Sequence, residues 1–202
     1  MRWERLFEDL EDQLACEWEA ERAGLAEETE RLRLARLPLR ERLSALSSSE
    51  GDAAVSMLLP GGAAVRGTVT GVGADVVVMD AEGLSDAAIV RLEAIIGVVA
   101  DPAALAASSR GADIVPDPLA GRLTFGFVLR DAARRRRGVR VLTTCGECLT
   151  GTVDRVGADH LDLALHEWGA VRRATAVTGV RLVPFVAITA VMWAAPASAQ
   201  WR

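Results

Sequence analysis

Two cysteines and two histidines in the second half of the chain come closest to a metal-binding pattern. Cys145 and Cys148 are separated by two residues, and His160 and His166 follow them, an order similar to that of a zinc finger. The histidines, however, flank an alternating segment that predicts a strand. Six residues at ~3.3 Å each separate them by roughly 20 Å, which is too far for one ion. We therefore expect incidental thiols here, rather than a zinc or redox site.

A group of acidic residues around His160 could suggest hydrolysis. Asp154, Asp159 and Asp162 lie close to this histidine in the sequence. Asp159, however, ends a Val-Gly-Ala-Asp segment that also ends at Asp75, and Asp is favoured in such turns for backbone reasons. The sequence contains no glycine-rich phosphate loop and no nucleophile elbow. It therefore predicts a protein that is not an enzyme and that uses no cofactor or metal.

The strongest charged feature is a run of arginines. It comprises Arg134, Arg135, Arg136 and Arg137, with Arg140 shortly after. Residues 122–202 hold twelve arginines and six acids, a net charge of +6, whereas residues 1–101 hold ten arginines and twenty acids, a net charge of −10. Arginines neutralise phosphates, so the run predicts nucleic-acid contacts, which Arg172 and Arg173 in a later loop extend. Alternatively, the run meets the acidic amino-terminal residues or forms a solvated face.

The amino-terminal residues 1–46 predict a helix with one apolar stripe. Its members recur three and four positions apart: Trp3, Leu6, Phe7, Leu10, Leu14 and Trp18. Residues 1–30 carry a net charge of −8 and residues 31–43 one of +4. Pro38 should break or kink the helix, because proline lacks the backbone N–H that a helix interior uses. Since an apolar stripe needs a partner, we expect this helix to bind another protein or to pack on its own chain.

An internal repeat organises the rest of the chain. Residues 67–75 recur as residues 151–159, with seven of nine positions identical. Around both segments apolar and polar residues alternate, which predicts strands. Gly67 and Gly151 lie inside the long strand of each copy, where glycine favours a sharp bend. The repeat thus predicts two copies of one unit, a short helix followed by five strands.

This unit, with its Val-Gly-Ala-Asp turn and a closing Val-Pro-Phe-x-Ala-Ile segment at residues 183–188, resembles the Sm-like superfamily, which includes LSm proteins and Hfq. It also resembles a family of actinobacterial proteins of similar length. The resemblance implies a mainly β fold with α: two tandem five-stranded small barrels, each preceded by a short helix, behind the long helix. We expect an acidic helix at 1–46, a first barrel at 52–100, a linker at 101–122, a short basic helix and second barrel at 123–193, and a tail at 194–202.

The resemblance also implies partners. Sm-like proteins bind RNA and pair the fourth strand of one barrel with the fifth strand of the next. We therefore expect RNA rather than DNA as the nucleic acid, and either a homo-oligomer or two barrels that pair within the chain. The contacts should go to phosphates without base readout, because neither copy carries the base-binding residues of the superfamily.

The overall composition predicts a folded cytoplasmic protein. Of 202 residues, 50% are apolar and the net charge is −5, which argues against disorder and against a polycation. Three cysteines are too few for a disulfide framework and favour a reducing compartment. No apolar leader follows Met1. The apolar residues 182–197 contain two prolines and fall short of the ~20 residues that span a bilayer, so we expect no membrane contact.

Two functions of different classes remain open. The first, which we prefer, is a non-enzymatic Sm-like regulator that contacts nucleic-acid phosphates through its arginine-rich second module. The alternative is a structural or protein-interaction module that self-associates through barrel edges and recruits a partner with its acidic helix.

Overall fold

The computed structural model of the chain describes residues 2–48, 54–82, 87–110, 120–168, 173 and 175–193. It divides into two units, Met1–Pro38 and Leu39–Arg202. Arg172 and the predicted tail at 194–202 lie outside the described residues. The helices are α1 (Arg2–Arg36), α2 (Leu39–Ser48), α3 (Pro102–Ser109) and α4 (Phe125–Arg135).

The helix boundaries follow local chemistry. Helix α1 ends two residues before Pro38 and α2 begins directly after it, as expected for a residue that interrupts the hydrogen bonds of a helix. Helix α3 lies in the stretch that we predicted as a linker. The Asp101 carboxylate accepts the Ala103 N–H at 2.8 Å, and Pro102 occupies the first turn. The Asp-Pro pair in the sequence is thus a helix start signal that the linker prediction did not use. No described helix is both long and apolar enough to cross a bilayer.

Ten strands in the described part of the chain make the fold mainly β, as predicted. They are β1 (Ala54–Leu58), β2 (Ala64–Val72), β3 (Val76–Ala81), β4 (Ala87–Arg91), β5 (Gly97–Val99), β6 (Gly138–Thr143), β7 (Cys148–Val156), β8 (His160–Leu165), β9 (Gly179–Pro184) and β10 (Ile188–Trp193). They form one antiparallel sheet in the order β5-β1-β2-β3-β4-β10-β6-β7-β8-β9. The first five and the last five strands thus follow the same order within the sheet.

The prediction of two separate five-stranded Sm-like barrels is wrong. The ten strands form a single open sheet, which is continuous because β4 of the first half pairs with β10 of the second, with Val90 opposite Ala190. Among the described strands, β5 and β9 remain at the two edges. The sequence repeat identifies the strands. It does not decide whether the edge strand of one half pairs with the other half or with another chain, and here β4 pairs with the other half.

The two repeat glycines occupy equivalent places. Gly67 pairs with Ala81 and Gly151 with Leu165, and in both long strands the register shifts just afterwards. A side chain at either glycine would collide with a carbonyl oxygen of the neighbouring strand, because the backbones approach closely there. Glycine is therefore required at both places for the same reason, the close approach of the neighbouring backbone.

Two apolar clusters fill the unit Leu39–Arg202. One gathers side chains of the second half and includes Phe125 and Leu129. The other gathers those of the first half and includes Leu43 and Met57. Each cluster also includes residues from the other half of the chain. Val76 and Ile89 pack in the cluster of the second half, and Ala190 packs in the cluster of the first half. The halves therefore share their cores as well as a strand pair.

A junction of polar and aromatic contacts joins the halves at the start of α4. The Asp75 carboxylate accepts the Phe125 N–H at 2.7 Å, which caps the helix from the other half. Arg91 donates to the Phe185 carbonyl at 2.5 Å, and its guanidinium lies 5.6 Å from the centre of the Phe125 ring. Phe125 and Phe185 meet edge to face with centroids 5.3 Å apart.

Two hairpin turns also touch across the halves. Gly61 and Gly146 have φ of 75° and 85°, a conformation that side chains rarely adopt. A Cβ at Gly61 would lie 2.5 Å from the Gly146 Cα, so the turns fit together only because both residues are glycine.

Candidate nucleic-acid interface

Helix α4 places part of the arginine run on an outer face. Phe125, Leu129 and Ala132 are buried and recur four and three positions apart, which fixes one side of the helix on the sheet. The start is capped by the Thr124 hydroxyl, which accepts the Phe127 N–H at 3.3 Å. The end is set by Arg136, whose left-handed conformation lets its N–H bond the carbonyls of the last turn.

A groove beside α4 collects four arginines from two elements. Its volume is about 780 Å³, and its lining comprises Phe127, Arg130, Ala133, Arg134, Arg136, Asp154, Arg155 and Val156. Helix α4 and the residue that ends it contribute three of the arginines, and strand β7 contributes Arg155. Among the lining residues only Asp154 is acidic. The groove therefore concentrates positive charge.

The irregular end of β7 explains why Arg155 reaches the surface. The pairing register with β8 shifts between Val153 and Arg155, and both Asp154 and Arg155 are exposed. An extra residue in a strand breaks the alternation of its faces, so two consecutive side chains can point outward. The first half has Thr70 and Gly71 at these repeat positions, so the cation is particular to the second half.

The ion pairs on α4 leave the arginines accessible. Arg135 lies 2.7 Å from Asp131 and Arg134 lies 3.5 Å from the same carboxylate. Both arginine side chains are more than half exposed, and such pairs contribute at most about 1 kcal/mol in water. A phosphate can therefore compete for either guanidinium at little energetic cost.

Next to these charges lies an aromatic ring. Phe127 is 53% exposed and lines the same groove as Arg130 and Arg134. Unpaired bases stack on exposed aromatic rings while arginines hold the backbone, and such stacking stabilises binding by about 1–3 kcal/mol per base. The groove thus offers both components that a single strand needs.

Only part of the predicted arginine set meets in the groove. Arg134 and Arg136 line it, Arg135 neighbours it, and Arg137 is half-buried with its N–H on the Ala132 carbonyl. Arg140 lies elsewhere, stacked 4.1 Å from the centre of the Trp168 ring. Arg173 is exposed but is not among the lining residues, and Arg172 lies outside the described residues.

The sequence analysis missed three contributors, which are Arg130, Arg155 and Phe127. Arg130 precedes Arg134 by one helical turn, a spacing that was readable once a helix was assumed. Arg155 was marked by one of the two mismatches in the nine-residue repeat. Phe127 gave no signal, because the apolar pattern alone does not separate an exposed ring from a core residue.

The histidines considered for a metal have other partners. His166 is buried, with its Nε2 at 2.8 Å from the Thr152 hydroxyl and its Nδ1 at 2.9 Å from the Glu167 carbonyl. His160 Nδ1 lies 2.8 Å from the Asp159 carboxylate. Within the part of the chain that the structure describes, no three His, Cys, Asp or Glu side chains are grouped so that they could hold an ion.

The three cysteines are free and exposed. Cys145 lies in the turn between β6 and β7, and its Sγ is 3.1 Å from the Thr143 hydroxyl. This hydrogen bond lowers the pKa of the Cys145 thiol below its ordinary value, because it favours the charged thiolate.

Comparisons of the chain with protein-family models, with curated proteins and with solved structures gave no match. They therefore identify no family, and the Sm-like resemblance stays a prediction made from the sequence.

Proposed function

We propose that the protein binds single-stranded nucleic acid, RNA in preference to DNA, without acting on it chemically. The observation that carries this proposal is the groove in which Arg130, Arg134, Arg136 and Arg155 converge beside the exposed Phe127. The arginines would contact phosphates and the ring would stack on one unpaired base. RNA is favoured because its loops and ends present unpaired bases.

The proposal predicts a defined salt dependence. For single strands the logarithm of the affinity falls by about 0.7 per phosphate contact for each tenfold rise in salt, so four arginines give a slope near −3 at most. The net charge of the whole chain is −5, so this slope would reflect the local groove and not a general attraction.

Fluorescence anisotropy with the full chain and a labelled single-stranded RNA tests the proposal. The variant Arg134→Ala/Arg155→Ala should bind about tenfold more weakly at low salt, with a slope reduced by about 1.4. The matched control, Arg40→Ala/Arg66→Ala, removes the same charge from exposed sites outside the groove and should change affinity less than about twofold. Absence of binding by the unaltered chain at low salt would refute the proposal.

A second candidate function is a structural module that self-associates through its sheet edges. The specific observation is that β5 and β9 lie at the edges, with Ile96, Val99, Val180 and Leu182 exposed on or beside them. Edge strands present unpaired backbone groups and can pair with another chain. Light scattering should then give a mass that rises with concentration and falls in Leu182→Lys. The variant Ala64→Lys, exposed on the interior strand β2, serves as the control.

We also propose that the protein is cytoplasmic. Its three cysteines are free and exposed, and such thiols persist in a reducing compartment.

A further inference from the structure

A second groove, the edge groove, lies between α2, α3 and the outer strand β5. Its volume is about 370 Å³. The apolar part of its lining includes Leu39, Leu43, Ile95 and Val98. Arg42 is the one charged lining residue, and its guanidinium donates to the Leu105 carbonyl at 2.8 Å and to the Ser108 hydroxyl at 3.2 Å. Both acceptors are neutral, so the edge groove combines an apolar surface with a cation.

The second half shows what fills a groove of this kind. The counterparts of the four apolar lining residues, at the equivalent positions of the second half, are Phe125, Leu129, Ile188 and Val191. All four belong to the apolar cluster of the second half, which also contains Val76 of β3 and Ile89 of β4. Strands β3 and β4 of the first half thus cover the helix and the last strand of the second half.

The far edge of the sheet carries the counterparts of these covering strands. Strands β8 and β9 correspond to β3 and β4, and Leu182 corresponds to Ile89. Leu182 is 61% exposed. Strand β4 pairs with β10 over three residues, and β5, the counterpart of β10, is three residues long. The two outer edges therefore match, element by element, the two edges that already pair within the chain.

The charges at the outer edges are complementary. Val78 and Val128 both pack against the cluster of the second half, one from each half. Their counterparts at the outer edges are Asp162 and Arg42. Asp162 lies opposite Leu182 in the β8–β9 pair, as their counterparts do in the β3–β4 pair. Two apolar residues of the internal junction thus correspond to an acid and a base, which attract each other across an interface.

The start of α2 favours the same partner. Thr124 caps α4, but its counterpart Pro38 directly precedes α2 and has no side-chain acceptor. Asp75 bonds the first turn of α4 from the first half, and its counterpart at the outer edge is Asp159. The Asp159 carboxylate is 88% exposed and would lie at the start of α2 if the outer edges met as the inner ones do.

We propose that the edge groove binds strands β8 and β9 of a second copy of this chain, in a head-to-tail contact that repeats the junction between the halves. Strand β9 pairs with β5 in the register of β4 with β10, so Leu182 lies opposite Val98 and enters the groove. The Asp162 carboxylate then faces Arg42. This interface rests on the second candidate function, self-association through the sheet edges, and is independent of RNA binding in the arginine groove.

Charge reversal in the full chain tests the partner. Arg42→Asp and Asp162→Arg should each weaken self-association, measured by sedimentation at several concentrations, at least about tenfold, because each sets like charges against each other. The double variant Arg42→Asp/Asp162→Arg should recover to within about threefold of the unaltered chain, since the pair is restored in reverse. The matched control Arg40→Asp changes an exposed residue of α2 outside the edge groove and should have less than about a twofold effect.

The failures of the two proposals are distinguishable. Absence of self-association in the unaltered chain would overturn both this interface and the second candidate function. Self-association that persists in Arg42→Asp and in Asp162→Arg would overturn this interface alone, as would a double variant that does not recover.

Disulfide formation tests the register. The register places Val99 opposite Arg181 of the next copy, as Met192 lies opposite Ala88 within the chain. With the three native cysteines changed to serine, Val99→Cys/Arg181→Cys should give covalent oligomers on oxidation. The control Val99→Cys/Val180→Cys should not, because neighbouring residues of a strand point to opposite faces. Crosslinking by the control alone, or by neither variant, would overturn the register.

Discussion

The inner and outer strands of the sheet are counterparts in the repeat but differ in exposure. Ile89 of β4 is 5% exposed, whereas its counterpart Leu182 of β9 is 61% exposed. Likewise, Thr189 in β10 is fully buried, while its counterpart Ile96 is 69% exposed. Ile89 is covered by side chains of the other half of the chain. Burial at this position therefore depends on whether the other half of the chain packs against the strand, and not on the apolar pattern of the strand itself.

The helices that precede each half show the same contrast. Phe125 of α4 is 1% exposed, and Leu39, at the equivalent place in the buried pattern of α2, is 44% exposed. Asp75 caps α4, whereas the repeat counterpart Asp159 is bonded to the neighbouring His160. Phe125 and Asp75 thus make contacts between the two halves, and their counterparts Leu39 and Asp159 do not.

The largest expected effect comes from a charge at the inner strand. Ile89→Lys would place an ammonium group inside the apolar cluster of the second half. It should destabilise the folded state by about 4 kcal/mol or more, or prevent folding. Leu182→Lys at the outer counterpart should change the free energy of unfolding by less than about 0.5 kcal/mol. Urea denaturation followed by circular dichroism measures both. Similar losses would show that β9 is buried in solution, by self-association or otherwise.

Truncation at the two helix starts should give the next largest difference. Phe125→Ala removes a buried ring and its contacts with Arg91 and Phe185, and should cost about 3–5 kcal/mol. Leu39→Ala should cost less than about 1 kcal/mol, because that side chain is nearly half exposed. Thermal and urea unfolding of the two variants would provide the comparison. A large loss in Leu39→Ala would contradict the description of α2 as an uncovered end.

Removal of the two turn carboxylates should have a smaller effect. Asp75→Ala deletes one of the two side-chain hydrogen bonds at the start of α4, leaving that of Thr124, and should lower the free energy of unfolding by about 1 kcal/mol. Asp159→Ala should shift the urea midpoint less, since that carboxylate is exposed and caps no described helix. If the two variants proved equally destabilised, the cap between the halves would contribute nothing specific.

The smallest effect is a shift in titration. The hydrogen bond with His160 lowers the pKa of Asp159 below its ordinary value of 3.8. Any stability from this contact is therefore present above pH 3.8 and is lost as the pH falls through the lower, folded value. A carbon-13 NMR titration should show the Asp159 midpoint rising toward 3.8 in His160→Ala. A midpoint that does not move would remove this contact as the cause.

Local features of the sheet were predictable from the sequence, whereas its open, continuous form was not. The close strand contacts at Gly67 and Gly151 and the helix break at Pro38 follow from the backbone chemistry of single residues. The pairing of β4 with β10 was one of the two arrangements that the Sm-like resemblance left open, because it depends on competition between strand edges that are far apart in the chain. Two closed barrels were therefore predicted where one open sheet exists.

The arginine groove, likewise, was predictable from the sequence only in part. Arg134 and Arg136 were predicted from charge alone, because consecutive arginines on a short helix reach the surface. Arg140 does not line the groove, because the chain turns between α4 and β6 and the side chain stacks on Trp168 instead. Arg155 comes from a different element, so its place in the groove depends on tertiary structure and on the bulge in β7.

The contact between the Gly61 and Gly146 turns has a mechanical consequence. Together with the β4–β10 pairing and the bond from Asp75 to Phe125, it attaches the halves at three separate places. A joint fixed at three places has no hinge axis, so neither half can rotate against the other without breaking at least one attachment. A molecule that bridges both halves would meet a surface already preorganised, with no entropy lost in aligning them.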